Sequence, residues 1–532
     1  MSSLSINSAV GTIVSRDPVS GEQLGHFAQT PPEEIGQIAA ASANVQPLWA
    51  LLRVADRARY MRRMAQAIID EFDDLTEALA REQARPRSEI ATLELLPAID
   101  TLIWIAEAGA RELGERRVAI HRSMSLTKRA RVAYEPLGVV AVIGAGSAPF
   151  AQPLAQIAGA LLAGNGVLFK PALRASLAGE RIARVVARAG LPEGLVQLVH
   201  GGARLGVALA DADVEKILFT GSPAVGRAVA RACVSQNKEV VLETGGKDAM
   251  IVLADAHVPR TVSGAVWAGF AAAGQARGSI ERIYLAREIA EQFLSALTAR
   301  TRALRIGDPR DERVQLGPLA SERRLLRVHE LVQDAVVQGA HVLCGGEPRP
   351  QAGTQAAFYA PTVLAGATHE MRVMREPLDG PVLAVTVVDS ASEAIALAND
   401  CDYALGASVW SADRYHALRI SRELQVGMVW VNDHLPEPMI AQGPWGASAG
   451  GGLGHTLGQA GLRAFAQEKL ITFDPPGRGG LWWGPQGPTL RRAAQAVAEL
   501  RSGRDFHRER AWRRGAPSLA RIALRALGPA RG

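Results

Sequence analysis

Four short apolar runs, residues 139–143, 166–170, 216–220 and 240–244, each lead into a glycine-bearing turn. Runs of this kind mark strands buried on both faces, where neither side of the pleat reaches water. The same alternation of strand-like and helix-periodic stretches continues at 250–253, 261–273, 279–285, 287–302 and 322–338. A parallel strand needs a long crossover, usually helical, to return to its sheet, so this order predicts an α/β protein.

At 532 residues the chain has room for two or three domains with their own cores. Its 48% apolar and 21% charged content is that of an ordinary globular protein. Cys233, Cys344 and Cys401 show no C-x-x-C or Cys/His spacing. Neither a metal site nor a disulfide framework is therefore expected, and a reducing cytoplasm is the expected compartment. Residues 1–7 lack the basic-then-apolar order of a secretory signal, and no apolar run reaches membrane-spanning length.

Residues 13–30 read as short strands about a turn at 18–22, and 31–82 as amphipathic helix with Thr30 as its cap. A further helix is expected over 88–113. The net charge of +6 conceals an asymmetry, because residues 478–532 hold twelve Arg against three acids, a formal +9. Trp482, Trp483, Pro485 and Pro488 mark a linker there, followed by helical spacing over 489–501 and around Ile522, Leu524 and Leu527. This tail reads either as a solvated, partly disordered extension or as a weak peripheral contact with anionic lipid. No nucleic-acid motif accompanies the charge, so no nucleic-acid partner is expected.

Two segments carry the chemistry. Leu242-Glu243-Thr244-Gly245-Gly246-Lys247 places one carboxylate at the end of an apolar strand, and Gly274-Gln275-Ala276-Arg277 follows, with Arg277 34 positions after Glu243. Together they resemble the two signature segments of the aldehyde dehydrogenase superfamily, a Leu-Glu-x-Gly-Gly-Lys segment with the general base and a Gly-Gln-x-Cys segment with the nucleophile. The resemblance covers about 13–476 and implies an aldehyde dehydrogenase-like fold. That fold combines a Rossmann-type cofactor domain (1–115 and 137–246), an α/β catalytic-type domain (247–455) and a β-arm for oligomerisation (116–136 and 456–477). A basic extension (478–532) follows. The strand ending Glu281-Arg282-Ile283-Tyr284, with that extension, looks most like the branch that includes succinate-semialdehyde dehydrogenases.

Other positions follow from the resemblance. Ser147, in Gly144-Ala145-Gly146-Ser147-Ala148-Pro149, stands where the family places an oxyanion-holding asparagine. Gly164-Asn165-Gly166-Val167-Leu168-Phe169-Lys170-Pro171 matches the segment whose lysine contacts the adenosine ribose, and Leu173 replaces a ribose-binding glutamate. Phe219-Thr220-Gly221-Ser222, with Gly226, matches the turn whose helix N-terminus faces the cofactor pyrophosphate; Gly245 completes the expected cofactor set of Lys170, Gly221, Ser222, Gly226 and Gly245. At 376–382 Pro377 and Asp379 replace a glutamate and a phenylalanine, with Glu376 one position early, and at 443–455 Ala449 is a further departure. His434 stands at a strand end that shapes the substrate mouth in the family, so a structural or lining role is expected for it.

The family's oxidation proceeds through a thioester, and a guanidinium cannot replace the thiolate because it stays protonated. Arg277 therefore implies a catalytically impaired or inactive member, with NAD or NADP as a weakly held cofactor. The alternative is an active NAD(P)-dependent oxidoreductase, such as a semialdehyde dehydrogenase, with a non-standard site. Glu243 and Arg277 should form an ion pair in one cavity. The implied partners are a small-molecule aldehyde and further copies of the chain, as a homodimer or homotetramer.

Overall fold

The computed structural model describes residues 11–121, 125–435, 437–448, 450–476, 480–483 and 485–527. Ala449 and the start of the tail linker at Arg478 lie outside them. The chain divides into two compact units, Met1–Glu112 with Pro136–Ala466 and Leu113–Glu135 with Gln467–Gly532.

The first unit contains two parallel-type sheets, as the alternation implied. One is built on β1 (Val139–Ile143), β2 (Gly166–Lys170), β3 (Val196–Leu198), β4 (Lys216–Gly221) and β5 (Glu239–Thr244). Its order is β5-β4-β1-β2-β3, all parallel, with Gly452–Leu453 antiparallel on the β5 edge. Because β2 lies on one side of β1 and β4 on the other, the winding reverses at β1. In open α/β sheets ligands bind at the carboxyl ends beside that reversal. Helix α1 (Ala151–Ala163) leaves the β1 end and α2 (Pro223–Ser235) leaves the β4 end. All thirteen residues of α1 are buried, which is why its sequence is apolar apart from Gln152 and Gln156.

The second sheet contains β6 (Asp248–Val252), β7 (Ile280–Ala286), β8 (His341–Cys344), β9 (Thr362–Ala365), β10 (Val382–Val388), β11 (Gly406–Trp410) and β12 (Met428–Val431). They run in the order β8-β9-β10-β7-β6-β11-β12, with only the β8/β9 pair antiparallel. Its core joins Met250, Ile283, Leu285, Val385 and Val409 to Phe293, Val328 and Leu331 of the covering helices.

Several expectations need correction. Thr30 does not cap the first helix; its hydroxyl accepts the His200 amide, and a 3₁₀ turn, Pro32–Glu34, leads into Ile35–Ala50. The helix expected at 88–113 is interrupted by a π turn, Ala91–Leu95, which turns Glu94 inward.

The second unit holds a three-stranded sheet in the order Ala466–Phe473, Arg129–Pro136, Arg116–Val118. Its tail is folded rather than disordered, as helices α3 (Pro488–Leu500), α4 (Asp505–Arg510) and α5 (Ala516–Leu527).

Candidate active site

Glu243 ends in the interior, 3% exposed. Its Oε2 lies 2.7 Å from Arg277 Nη1 and also accepts from Gln152 Nε2, while Oε1 accepts from Gln156 Nε2 at 3.3 Å. The expected ion pair therefore forms, with Arg277 itself 9% exposed. The two glutamines, four apart, share one face of α1. They escaped notice in the sequence, although two amides on an otherwise apolar helix were the available signal.

The loop bearing Arg277 is strained. Ala272, Ala273 and Gly274 all have positive φ, at 52°, 56° and 70°. For alanine this costs roughly 1–2 kcal/mol each, so other contacts must hold the loop. The Ala272 N–H donates to both Glu89 oxygens, at 3.0 and 3.1 Å. Arg85 joins Glu89 at 3.3 Å to Glu94 at 3.1 Å, and Glu94 Oε2 accepts the N–H groups of Phe150 and Ala151 at 3.2 and 2.8 Å. One buried arginine thus ties the Arg277 loop to the end of the turn that carries Ser147. Ser147 is half-buried in that turn.

His434 donates from Nε2 to Gly278 O at 2.7 Å, since a carbonyl can only accept. Burial lowers its pKa to about 4, so it stays neutral and braces the loop from behind. Opposite Arg277 lies Glu437, fully buried, which sequence reasoning missed entirely. Burial pushes Glu437 up to about 7; Arg277 and Arg85 act the other way, and Glu94 adds to the rise. Both Glu437 oxygens, with Arg277 Nε and Nη2, lack hydrogen-bond partners among the described residues. The cavity touching Gln152, lined also by Pro97, Thr101, Pro438 and Leu457, has a volume of about 10 Å³, which admits one water.

No cysteine contacts Glu243 or Arg277 among the described residues, and Glu243 Oε2 is held by both Arg277 and Gln152. Nor is a recruited thiol at hand. Cys233 sits in the core of the first sheet with Phe219 and Leu242, and Cys344 in the core of the second. Burial raises both thiols above their ordinary value. Cys401 is half-buried on the turn after Ala391–Asn399. No cluster of metal-ligating side chains occurs among the described residues.

The carboxyl ends of β2, β4 and β5 suit a dinucleotide. Lys170 Nζ is buried and donates one bond, to Pro171 O at 3.2 Å, leaving donors for a ligand oxygen. Burial brings it down to about 8. Ser222 stands at the N-cap of α2, extended and without a side-chain cap bond, so its hydroxyl and the first free N–H groups can meet a phosphate. Two glycines leave necessary room: a Cβ on Gly221 would lie 2.5 Å from the Phe219 ring, and one on Gly226 3.0 Å from Thr244 Cγ2. Gly245 meets nothing within 4 Å of its missing Cβ.

The other flank departs from this pattern. Glu376 is paired with Arg327 and Arg372, one at each carboxylate oxygen. Asp379 pairs with Arg324 at 3.4 Å, and Arg174 donates across to Ala320 O at 2.7 Å.

Residues 6–471 match the model of the aldehyde dehydrogenase family. A betaine aldehyde dehydrogenase of Cereibacter sphaeroides is 33% identical over 455 residues, 85% of this chain and 92% of that protein. A 4,4'-diapolycopene aldehyde oxidase of Methylomonas sp is 34% identical over 456 residues, 86% of this chain and 84% of that one. The crystal structure of a Mycobacterium tuberculosis aldehyde dehydrogenase complexed with NAD+ superposes with a TM-score of 0.83 at 31% identity, covering 87% and 95% of the two chains.

Proposed function

The chain belongs to the aldehyde dehydrogenase family, and from that membership we propose that it is a member which binds NAD or NADP but has given up oxidation through a thioester, serving as a binding or scaffolding subunit. The observation that carries this is the buried Arg277–Glu243 pair, which removes the nucleophile and occupies the base in a single contact. A bound nicotinamide supplies a hydride acceptor. The chain's own part is to hold it: Lys170 offers donors to ribose hydroxyls, and Ser222 with the α2 N-terminus faces the pyrophosphate. Leu173 in place of an acid, and Glu376 committed to two arginines, support weakened dinucleotide binding.

Glu281-Arg282-Ile283-Tyr284 does not speak for a succinate-semialdehyde substrate. Glu281 pairs with buried Lys247 at 2.6 Å and accepts the Leu378 N–H, while Arg282 Nε donates to Lys247 O. These groups brace the second sheet internally, so the ligand is kept at the family's class, an aldehyde. For assembly we retain a homodimer or homotetramer. Support comes from the edge strand Ala466–Phe473, whose Leu470 and Phe473 are 63% and 60% exposed. No helix among the described residues is long and apolar enough to cross a membrane.

The test is reduced-nicotinamide absorbance during incubation of the unmutated protein with NAD or NADP and a series of aliphatic and aromatic aldehydes. No increase is expected, and turnover of any of them at an ordinary enzymatic rate overturns the proposal. Calorimetry with each dinucleotide, run separately, tests the binding half.

A further inference from the structure

The tail helices are packed the wrong way round for a protein surface in water. In α3 and α5, with the π turn Ala511–Gly515 between α4 and α5, the buried residues are mostly small: Ala493, Ala496, Ala511, Gly515, Ser518 and Ala526, with Ile522 the one large apolar side chain and Glu499 buried in its pairing with Arg510. The contact is close enough that a Cβ on Gly515 would lie 2.0 Å from Ala496 Cβ. The large apolar side chains are outside, with Phe506 57%, Trp512 65%, Leu524 71% and Leu527 50% exposed. Hydrophobic burial in water selects the opposite arrangement.

Charge accompanies this surface. Residues 113–135 and 467–532 hold nineteen Lys and Arg against seven Asp and Glu, whereas the whole chain is nearly balanced at 59 against 53. Glu499 and Glu509 are engaged by Arg510 and Arg513, while Arg514, Arg521 and Arg525 make no ion pair among the described residues. Aromatic and leucine side chains beside unpaired arginines, on helices too short to span a bilayer, form the pattern of an interfacial surface. A second copy suits it poorly, since a two-fold contact would bring together two patches of the same net positive charge.

We propose that the α4–α5 face binds an anionic lipid surface, with Trp512, Leu524 and Leu527 entering the headgroup boundary and Arg514, Arg521 and Arg525 meeting lipid phosphates. The proposal is independent of whether the Arg277 site is active.

The full-length protein is sedimented with vesicles of phosphatidylcholine alone and of phosphatidylcholine containing one-third phosphatidylglycerol. Partitioning at least roughly tenfold stronger to the anionic vesicles is expected. R514E/R521E/R525E should lose it, and W512S/L524S should lower it several-fold with every charge retained. All these side chains are exposed, so unchanged unfolding midpoints are expected and are checked. Equal partitioning to both vesicle types, no binding to either, or wild-type binding by W512S/L524S overturns the proposal. The last result would mark charge-only adsorption, as to any polyanion.

Discussion

Arg277 Nη1 lies 2.7 Å from Glu243 Oε2 with both side chains almost fully enclosed, so neither can be changed alone without stranding a buried charge. Breaking a buried pair from one side typically costs about 3–5 kcal/mol, most of it the penalty on the remaining ion. Arg277→Ala should lower stability by that order in urea unfolding. Glu243→Gln/Arg277→Gln should lose clearly less than the sum of the two single variants. Additive losses would show that the two groups do not interact.

The pair also determines what repair of the site requires. Arg277→Cys restores a thiol and releases Glu243 together, so it should become rapidly alkylated and should oxidise aldehydes slowly. Ser147→Asn then adds the longer amide donor, and one oxyanion donor is worth roughly 10²–10³ in rate. Arg277→Cys/Ser147→Asn should therefore exceed Arg277→Cys by about that factor in reduced-nicotinamide formation, while Ser147→Asn alone stays inactive. Equal rates for the two Cys-bearing variants would remove position 147 from the oxyanion role.

The fold was legible because buried parallel strands and their crossovers leave a local trace, a short apolar run ending in glycine. Glu243 and Arg277 were legible for the same reason, each lying in a compact segment. What surrounds them was not. Gln152 lies 91 positions from Glu243 and Glu94 57 from Ala151, so these pairings depend on how distant elements meet, a helix on a strand in the first case and two helical segments in the second. Glu94 further depends on a π turn with no sequence mark of its own. The tail's helices at 489–501 and around Ile522 were legible, but that they fold together was not, because they pack mostly through alanine, with Gly515 against Ala496.

Glu437 should make stability depend on pH in a definite direction. Its pKa rises from 4.5 to about 7 on folding, so between those values the folded protein holds a proton that the unfolded chain has released. Its contribution is fully present below pH 4.5, declines as pH rises through about 7, and then levels off at roughly 3 kcal/mol lower. His434, lowered from 6.5 to about 4, acts with the opposite sign and loses stability as pH falls through that range. The informative quantity is therefore the difference between wild type and Glu437→Gln in thermal midpoint from pH 4.5 to 8. Wild type should fall relative to the variant across this window, and a constant difference would show that Glu437 does not titrate there.

The strained loop supplies a test that does not involve charge. Ala272 and Ala273 have φ of 52° and 56°, where glycine is at ease and alanine is not. Ala→Gly ordinarily costs about 0.5–1 kcal/mol through the greater freedom of the unfolded chain, and relief of the left-handed strain returns roughly 1–2 kcal/mol. Ala272→Gly and Ala273→Gly should therefore be neutral or stabilising, against the usual sign. Gly274→Ala meets the reverse situation. Besides a φ of 70°, its added Cβ would lie 2.2 Å from Gly380 O, a backbone atom with no side-chain rotation to relieve it, so the 270–279 loop must move. Gly274→Ala should lower the unfolding midpoint markedly, and, when built into Arg277→Cys, should slow alkylation of the new thiol by displacing it. If both Ala→Gly changes destabilise normally, the loop is not under the strain its dihedral angles indicate, and its conformation must be set by the Arg85–Glu89 anchor alone.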